Sequence, residues 1–169
     1  MSQLAQVVHQ FARALEMRQK VDVIYLDFSK AFDRVPHGKL LFKLECLGFK
    51  GPLLAWFRSY LSGRRHRVVI DDEASDFLPV TSGVPQGSIL GPLLFLVYIN
   101  DMPDVISGDT SLLLFPDDSR CFRLILGQDD RDKLQKDLNK LLEWSSIWRM
   151  EFNVKKCKVL RVARTKCTY

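Results

Sequence analysis

Apolar residues recur at helical spacing at the start of the chain: Leu4, Val7, Val8, Phe11, Ala12 and Leu15 predict an amphipathic helix over roughly residues 2–18. The pattern then changes. Residues 21–26 (VDVIYL) are β-branched and almost continuously apolar, as in a buried strand, and this strand delivers Asp27 to its C-terminal end. Ser29 is placed to cap a short helical turn. Pro36 suits the first position of a helix that ends near Gly48, and Gly51-Pro52 opens another that stops near Gly63. Residues 66–70 and 77–80 read as two strands around the acidic turn Asp71-Asp72-Glu73. After a Gly/Pro-rich loop at 82–88 comes a strongly apolar helix up to about Asp101. Residues 112–115 and 121–126 predict a hairpin with Asp117 and Asp118 at its tip. A long amphipathic helix over roughly 129–148 and a last strand at 159–162 complete the chain. With no repeat, low-complexity tract or linker, one α+β unit is the simplest architecture.

Composition narrows this only a little. The chain has 169 residues, 47% hydrophobic and 27% charged, an ordinary globular balance. The longest apolar stretch, 89–99, is interrupted by Gly91 and Pro92 and falls short of the roughly 18 residues a membrane span needs. Gln3, Gln6, His9 and Arg13 make the N-terminus unlike a secretory signal, so an intracellular protein without a membrane partner is expected. Cys46, Cys121, Cys157 and Cys167 lack paired CxxC spacing and His9, His37 and His66 are scattered, which favours free thiols over a structural zinc site. The net charge of +5 is compatible with a phosphate-rich partner and decides nothing alone.

One acid at the end of a buried strand and two at a hairpin tip form a costly arrangement. Carboxylates about 4 Å apart repel by roughly 1 kcal/mol in water and about 4 at intermediate dielectric. A divalent cation with a preference for oxygen ligands removes that cost, and two such ions serve nucleotidyl transfer by activating a 3′-hydroxyl and stabilising the leaving pyrophosphate. A solvated acidic turn is the competing reading of Asp117-Asp118.

LDFSKAFDRVPH (residues 26–37) resembles the first palm motif of reverse transcriptases of non-LTR retrotransposons. SGVPQGSILGPLLF (82–95) resembles their second and FPDD (115–118) their third. WRMEFNVKKC (148–157), with N-x-x-K spacing, is similar to their fourth. Four motifs in family order cover nearly the whole chain. The resemblance implies an α+β fold, a polymerase palm-like antiparallel sheet packed with helices. It makes residues 1–169 a single partial domain, palm with part of the fingers, of a right-hand polymerase lacking most of the fingers and the thumb.

It further implies an RNA-directed DNA polymerase using an RNA template, a DNA primer and deoxynucleoside triphosphates. Asp27, Asp117 and Asp118 would hold two Mg²⁺ (or Mn²⁺) ions, with the backbone carbonyl of Phe28 as an extra ligand. Phe32 matches the steric gate that excludes a 2′-hydroxyl, against a core aromatic as the plain alternative. Gln86 and Gly87 match the loop that lies against nucleotide and template, where glycine permits close backbone approach. Lys156 matches the lysine that donates a proton to pyrophosphate, with Lys155 a rival and a solvated lysine a third reading. Arg64, Arg65 and Arg67, near Trp56, Phe57 and Tyr60, suit either a template backbone or a solvated turn, and Arg120 suits a primer phosphate or simple charge balance.

Pro116 departs from the small or aliphatic residue usual before the two acids, and a proline there removes a backbone donor beside the catalytic turn. Two functions follow: a polymerase active within a longer protein, or a catalytically silent remnant acting at most as a nucleic-acid-binding module.

Overall fold

The computed structural model describes residues 3–114 and 119–164, so Phe115, Pro116, Asp117 and Asp118 lie outside the described residues. The chain forms two compact units.

The first unit is built on a four-stranded antiparallel sheet. Its centre is β1 (Lys20–Leu26), flanked by β7 (Ser119–Ile125) and β8 (Lys158–Val162), with β6 (Thr110–Leu113) outside β7. Strand alternation sorts the side chains of β1. Val21 and Val23 pack with Phe122 of β7 under Val7 and Ala14 of helix α1 (Gln3–Glu16), and Phe11 meets Phe122 edge to face at 5.3 Å. The buried stripe of α1 is thus narrower than the apolar pattern predicts, since Val8 and Ala12 are exposed.

The opposite side of the sheet carries charge. Asp22 is buried and accepts two hydrogen bonds from Arg161, its cross-strand partner on β8, at 2.7 and 3.1 Å. Arg123 on β7 is 3% exposed and reaches Asp109 at 3.1 Å, Asp130 at 3.6 Å and Asp137 at 3.9 Å. Asp137 lies on the long helix α5 (Gln128–Trp148), in the same buried stripe as Leu134, Leu141 and Trp144. It accepts hydrogen bonds from the Ser107 N–H at 3.0 Å, the Ser107 hydroxyl at 2.6 Å and the Thr110 hydroxyl at 2.5 Å. Burial pushes the Asp137 carboxyl up, but these bonds outweigh it and hold the group below the usual carboxylate range. Cys121 is buried beside this network and its thiol is pushed up to about 12, mainly by burial and then by Asp137, so it is inert.

The second unit contains α2 (His37–Cys46), α3 (Gly51–Leu61), α4 (Leu90–Ile99) and a long ribbon between α3 and α4. Its core is Val35, Leu40, Leu44, Leu61, Phe95, Tyr98 and Ile99, each 0–1% exposed. Pro36 is the N-cap of α2, extended at φ −71° and ψ 121°, rather than its first helical residue. Lys43 is buried: its ammonium donates to the Tyr98 carbonyl and lies 3.5 Å from the centre of the Trp148 ring.

The ribbon is less regular than two continuous strands. Residues 65–66 (β2) pair with 78–79 (β5), and 69–70 (β3) with 73–74 (β4); between them the register shifts by one residue and the Val68 N–H donates to the Ser75 hydroxyl at 3.0 Å instead of to a backbone carbonyl. Asp71 and Asp72, at φ +46° and +66°, form the two-residue turn at the tip.

Candidate active site

Asp27 follows the last residue of β1, where the buried strand emerges, and its side chain is 27% exposed. The chain beyond it is held on both sides. The Asn153 N–H donates to the Asp27 carbonyl at 2.7 Å, and the Ser29 N–H donates to the Glu151 carbonyl at 2.7 Å. Between them Phe28 pairs with Phe152, their rings stacked at 4.8 Å and 16°, with Trp144 at 6.4 Å on Phe28. The Phe28 side chain is therefore committed to packing, which leaves only its backbone carbonyl for the ligand role implied by the sequence motif.

The spacing of the fourth motif acquires a physical reason here. Asn153 donates its N–H to Asp27, and its carbonyl accepts from the N–H groups of Lys156 at 2.9 Å and Cys157 at 3.0 Å. This turn folds the chain back, so that the Lys156 ammonium comes 3.6 Å from Asp27 Oδ2. Lys155 is exposed and has no ion pair among the described residues. The other carboxylate oxygen, Asp27 Oδ1, is buried without a hydrogen-bond partner among the described residues. A carboxylate oxygen in that state costs at least 1–3 kcal/mol unless something meets it. A second buried polar atom without a partner among the described residues, Ser119 Oγ, belongs to the residue that follows Asp118 in sequence and pairs with Leu26, the residue before Asp27. No described group of three His, Cys, Asp or Glu residues is arranged to hold a metal ion.

In the second unit the loop of the second motif is tied to the segment carrying Phe32. Val84 N–H donates to the Phe32 carbonyl at 2.7 Å and Gly83 N–H to the Val35 carbonyl at 2.8 Å. Gly83 sits at φ +91°, and a Cβ there would lie 2.9 Å from the Phe32 and Asp33 backbone, so only glycine allows this approach. The half-buried Phe32 ring packs on Phe95 at 4.9 Å and 33°. Gln86 is exposed and donates from Nε2 to Asp33 Oδ1 at 2.8 Å; Gly87 is exposed at φ +76°. Asp33 is a residue that the motif reading passed over, although it stands directly after Phe32 within the quoted motif. Arg120 lies over the Tyr25 ring at 5.1 Å, its cross-strand neighbour.

The family model described as "Reverse transcriptase (RNA-dependent DNA polymerase)" matches residues 2–169. The chain belongs to the reverse transcriptase family. The "Probable RNA-directed DNA polymerase from transposon X-element" of Drosophila melanogaster is 36% identical over 163 residues, covering 91% of this chain and 17% of that protein. The "RNA-directed DNA polymerase from mobile element jockey" of the same fly is 34% identical over 164 residues, covering 92% of this chain and 18% of that protein. These relatives uphold the non-LTR retrotransposon resemblance, and this reverse transcriptase chain spans about a sixth of their length. Among solved structures, telomerase from Candida tropicalis, in complex with a TWJ fragment of telomeric RNA, superposes with a TM-score of 0.67 at 15% identity, covering 98% of this chain and 30% of that one. Telomerase from Candida albicans gives 0.68 at 16% identity. The shared fold is the α+β polymerase palm expected from the motifs.

Proposed function

We propose that this chain is the palm-bearing part, in one partial domain, of an RNA-directed DNA polymerase that copies an RNA template onto a DNA primer from deoxynucleoside triphosphates. The observation that carries the reading is at Asp27. Its Oδ1 is buried and has no hydrogen-bond partner among the described residues, and Oδ2 faces the ammonium that the N-x-x-K turn aims at it. A hard cation suits such an oxygen donor. Asp27 would hold two Mg²⁺ or Mn²⁺ ions together with Asp117 and Asp118, the pair adjoining Ser119 in sequence, and the Phe28 carbonyl is an additional candidate ligand. When bound, the ions would supply charge compensation at the primer 3′-oxygen and at the leaving group.

The remaining roles fall to side chains of this chain. The primer 3′-hydroxyl, its proton passing to water, forms a bond to the α-phosphorus as the bond to pyrophosphate breaks, and Lys156 donates a proton to the departing oxygen. Phe32, braced on Phe95, presents a ring to the sugar and excludes a 2′-hydroxyl. Gln86, oriented by Asp33, contacts nucleotide and template, with Gly87 beside it allowing close backbone approach.

The test is primer extension on an RNA template by this chain joined to the flanking segments of a relative such as the jockey polymerase. Template-dependent synthesis that falls about 10²- to 10³-fold in Asp27→Asn is expected, in line with the loss of a charge-stabilising group at a reacting centre. Equal rates for parent and Asp27→Asn would refute the assignment.

A further inference from the structure

The positive charge of this protein is concentrated. Residues 47–70 carry five basic residues (Lys50, Arg58, Arg64, Arg65, Arg67) and no acid. The chain has 25 basic and 20 acidic residues, so the rest is balanced at twenty of each. Three of the five lie on the ribbon, whose residues 62–79 are all exposed.

Strand alternation divides those three. Arg64 and His66 line a groove of about 620 Å³ together with Lys30, Asp33 and Gln86, and Arg64 also lies over Tyr60, which stacks on the half-exposed Trp56 at 5.3 Å. Arg65 and Arg67 point to the other side. Their guanidiniums converge on one ring, that of Phe77 on the facing strand, at 5.3 and 4.8 Å, and Phe77 remains 48% exposed. Neither arginine has a carboxylate within 4 Å among the described residues; Arg65 donates only to the Phe77 carbonyl, at 3.4 Å. The acids Asp71, Asp72 and Glu73 stand at the ribbon tip, roughly 10–13 Å from Arg67 at about 3.3 Å per residue, beyond the ~8 Å screening length of physiological salt. Asp76, which precedes Phe77 midway along the ribbon, is the one acid beside this face, and among the described residues it makes no ion pair with either arginine.

Two uncompensated guanidiniums around an open aromatic face combine what a flexible nucleic-acid strand requires: cations for its phosphates and a flat apolar surface for a base. We propose that the Arg65–Phe77–Arg67 face of the ribbon, on the side away from the groove lined by Asp33 and Gln86, is a binding site for single-stranded RNA. Only the choice of RNA over DNA rests on the polymerase reading. A duplex is disfavoured because its bases are not free to stack on Phe77.

The experiment is fluorescence anisotropy of the purified chain with a labelled 20-nucleotide oligouridine across a salt series, with oligothymidine of the same length alongside. Arg65→Ala/Arg67→Ala should weaken RNA binding at least tenfold and flatten the slope of log K against log salt by about 1.4, the loss of two single-strand phosphate contacts at ~0.7 each. Phe77→Ala should weaken binding about tenfold with little change of slope, since a stacked base carries no charge. Circular-dichroism melting should be unchanged in all variants because these side chains are exposed. Parental affinity and slope in the double arginine variant, or no binding by the parent, would overturn the site. Equal affinity for oligothymidine would overturn the commitment to RNA. Asp27→Asn should bind RNA like the parent, so failure of the polymerase reading shows in primer extension and not here.

Discussion

Replacing Asp137 by alanine removes the buried acceptor on which the β6–β7 hairpin is anchored. The carboxylate is 1% exposed, receives three hydrogen bonds from Ser107 and Thr110, and faces the Arg123 guanidinium at 3.9 Å. Removing one partner of a buried charge pair costs about 3–5 kcal/mol, largely through the charge and donors left behind. Arg123 keeps Asp109 and Asp130, so the lower part of that range applies, about 3–4 kcal/mol. At roughly 2–4 °C per kcal/mol for a chain of this size, the thermal midpoint should fall by about 10 °C.

Asp137→Asn keeps one acceptor oxygen and should lose about half as much. Its pH dependence follows from the sign of the shift. The folded carboxyl titrates below its usual value, so its contribution is complete above the unfolded value of about 3.9 and is lost as pH falls through the lower folded value. The gap between parent and Asp137→Asn should therefore be constant at neutral pH and shrink below about pH 4. Thermal melts by circular dichroism from pH 7 to pH 3 read both quantities. A midpoint within 2 °C of the parent for Asp137→Ala, or a gap that grows on acidification, would refute the reasoning.

Lys156→Ala should lower the extension rate by about 10²- to 10⁴-fold, the range of one general acid. Because the ammonium competes for Asp27, the same variant should bind Mn²⁺ more tightly in a calorimetric titration. Phe32→Ala should admit ribonucleotides in single-nucleotide incorporation; an unchanged preference for deoxynucleotides would return Phe32 to a packing role. Gly83→Ala places a methyl group 2.9 Å from the Phe32 and Asp33 backbone at a positive φ, so increased amide hydrogen exchange across residues 82–88 is expected, and parental exchange would contradict the close approach. Pro116→Ala restores a backbone donor next to the two acids and should raise the extension rate by about tenfold, equivalent to about 1.4 kcal/mol of barrier, with a much smaller change in melting.

The helices and the sheet were legible because each buries a periodic face. The apolar run of β1, interrupted only by Asp22, marks a strand buried along most of its length, and residues 3–16, 51–61 and 128–148 match their apolar spacing to within a few residues. Charge inside that frame was not legible. Asp137 occupies a position between Leu134 and Leu141 that the stripe reserves for an apolar residue, and only its distant partners Ser107, Thr110 and Arg123 explain it. Asp22 is similar, since Arg161 lies 139 residues away in sequence. At the candidate site, motif spacing pointed to Asp27 and Lys156, but the reason for N-x-x-K lies in backbone bonds from Asn153 that a linear pattern does not display. Asp33 was overlooked for the same cause: its value as the partner of Gln86 depends on Gly83 letting two chain segments touch.

Electron paramagnetic resonance of Mn²⁺ titrated into the purified chain examines the acid site without requiring turnover. Free Mn²⁺ should disappear on adding the parent protein, and Asp27→Asn and the pair Asp117→Asn/Asp118→Asn should each restore most of the free signal. Binding that survives both variants unchanged would contradict the assignment of Asp27, Asp117 and Asp118 as the metal ligands.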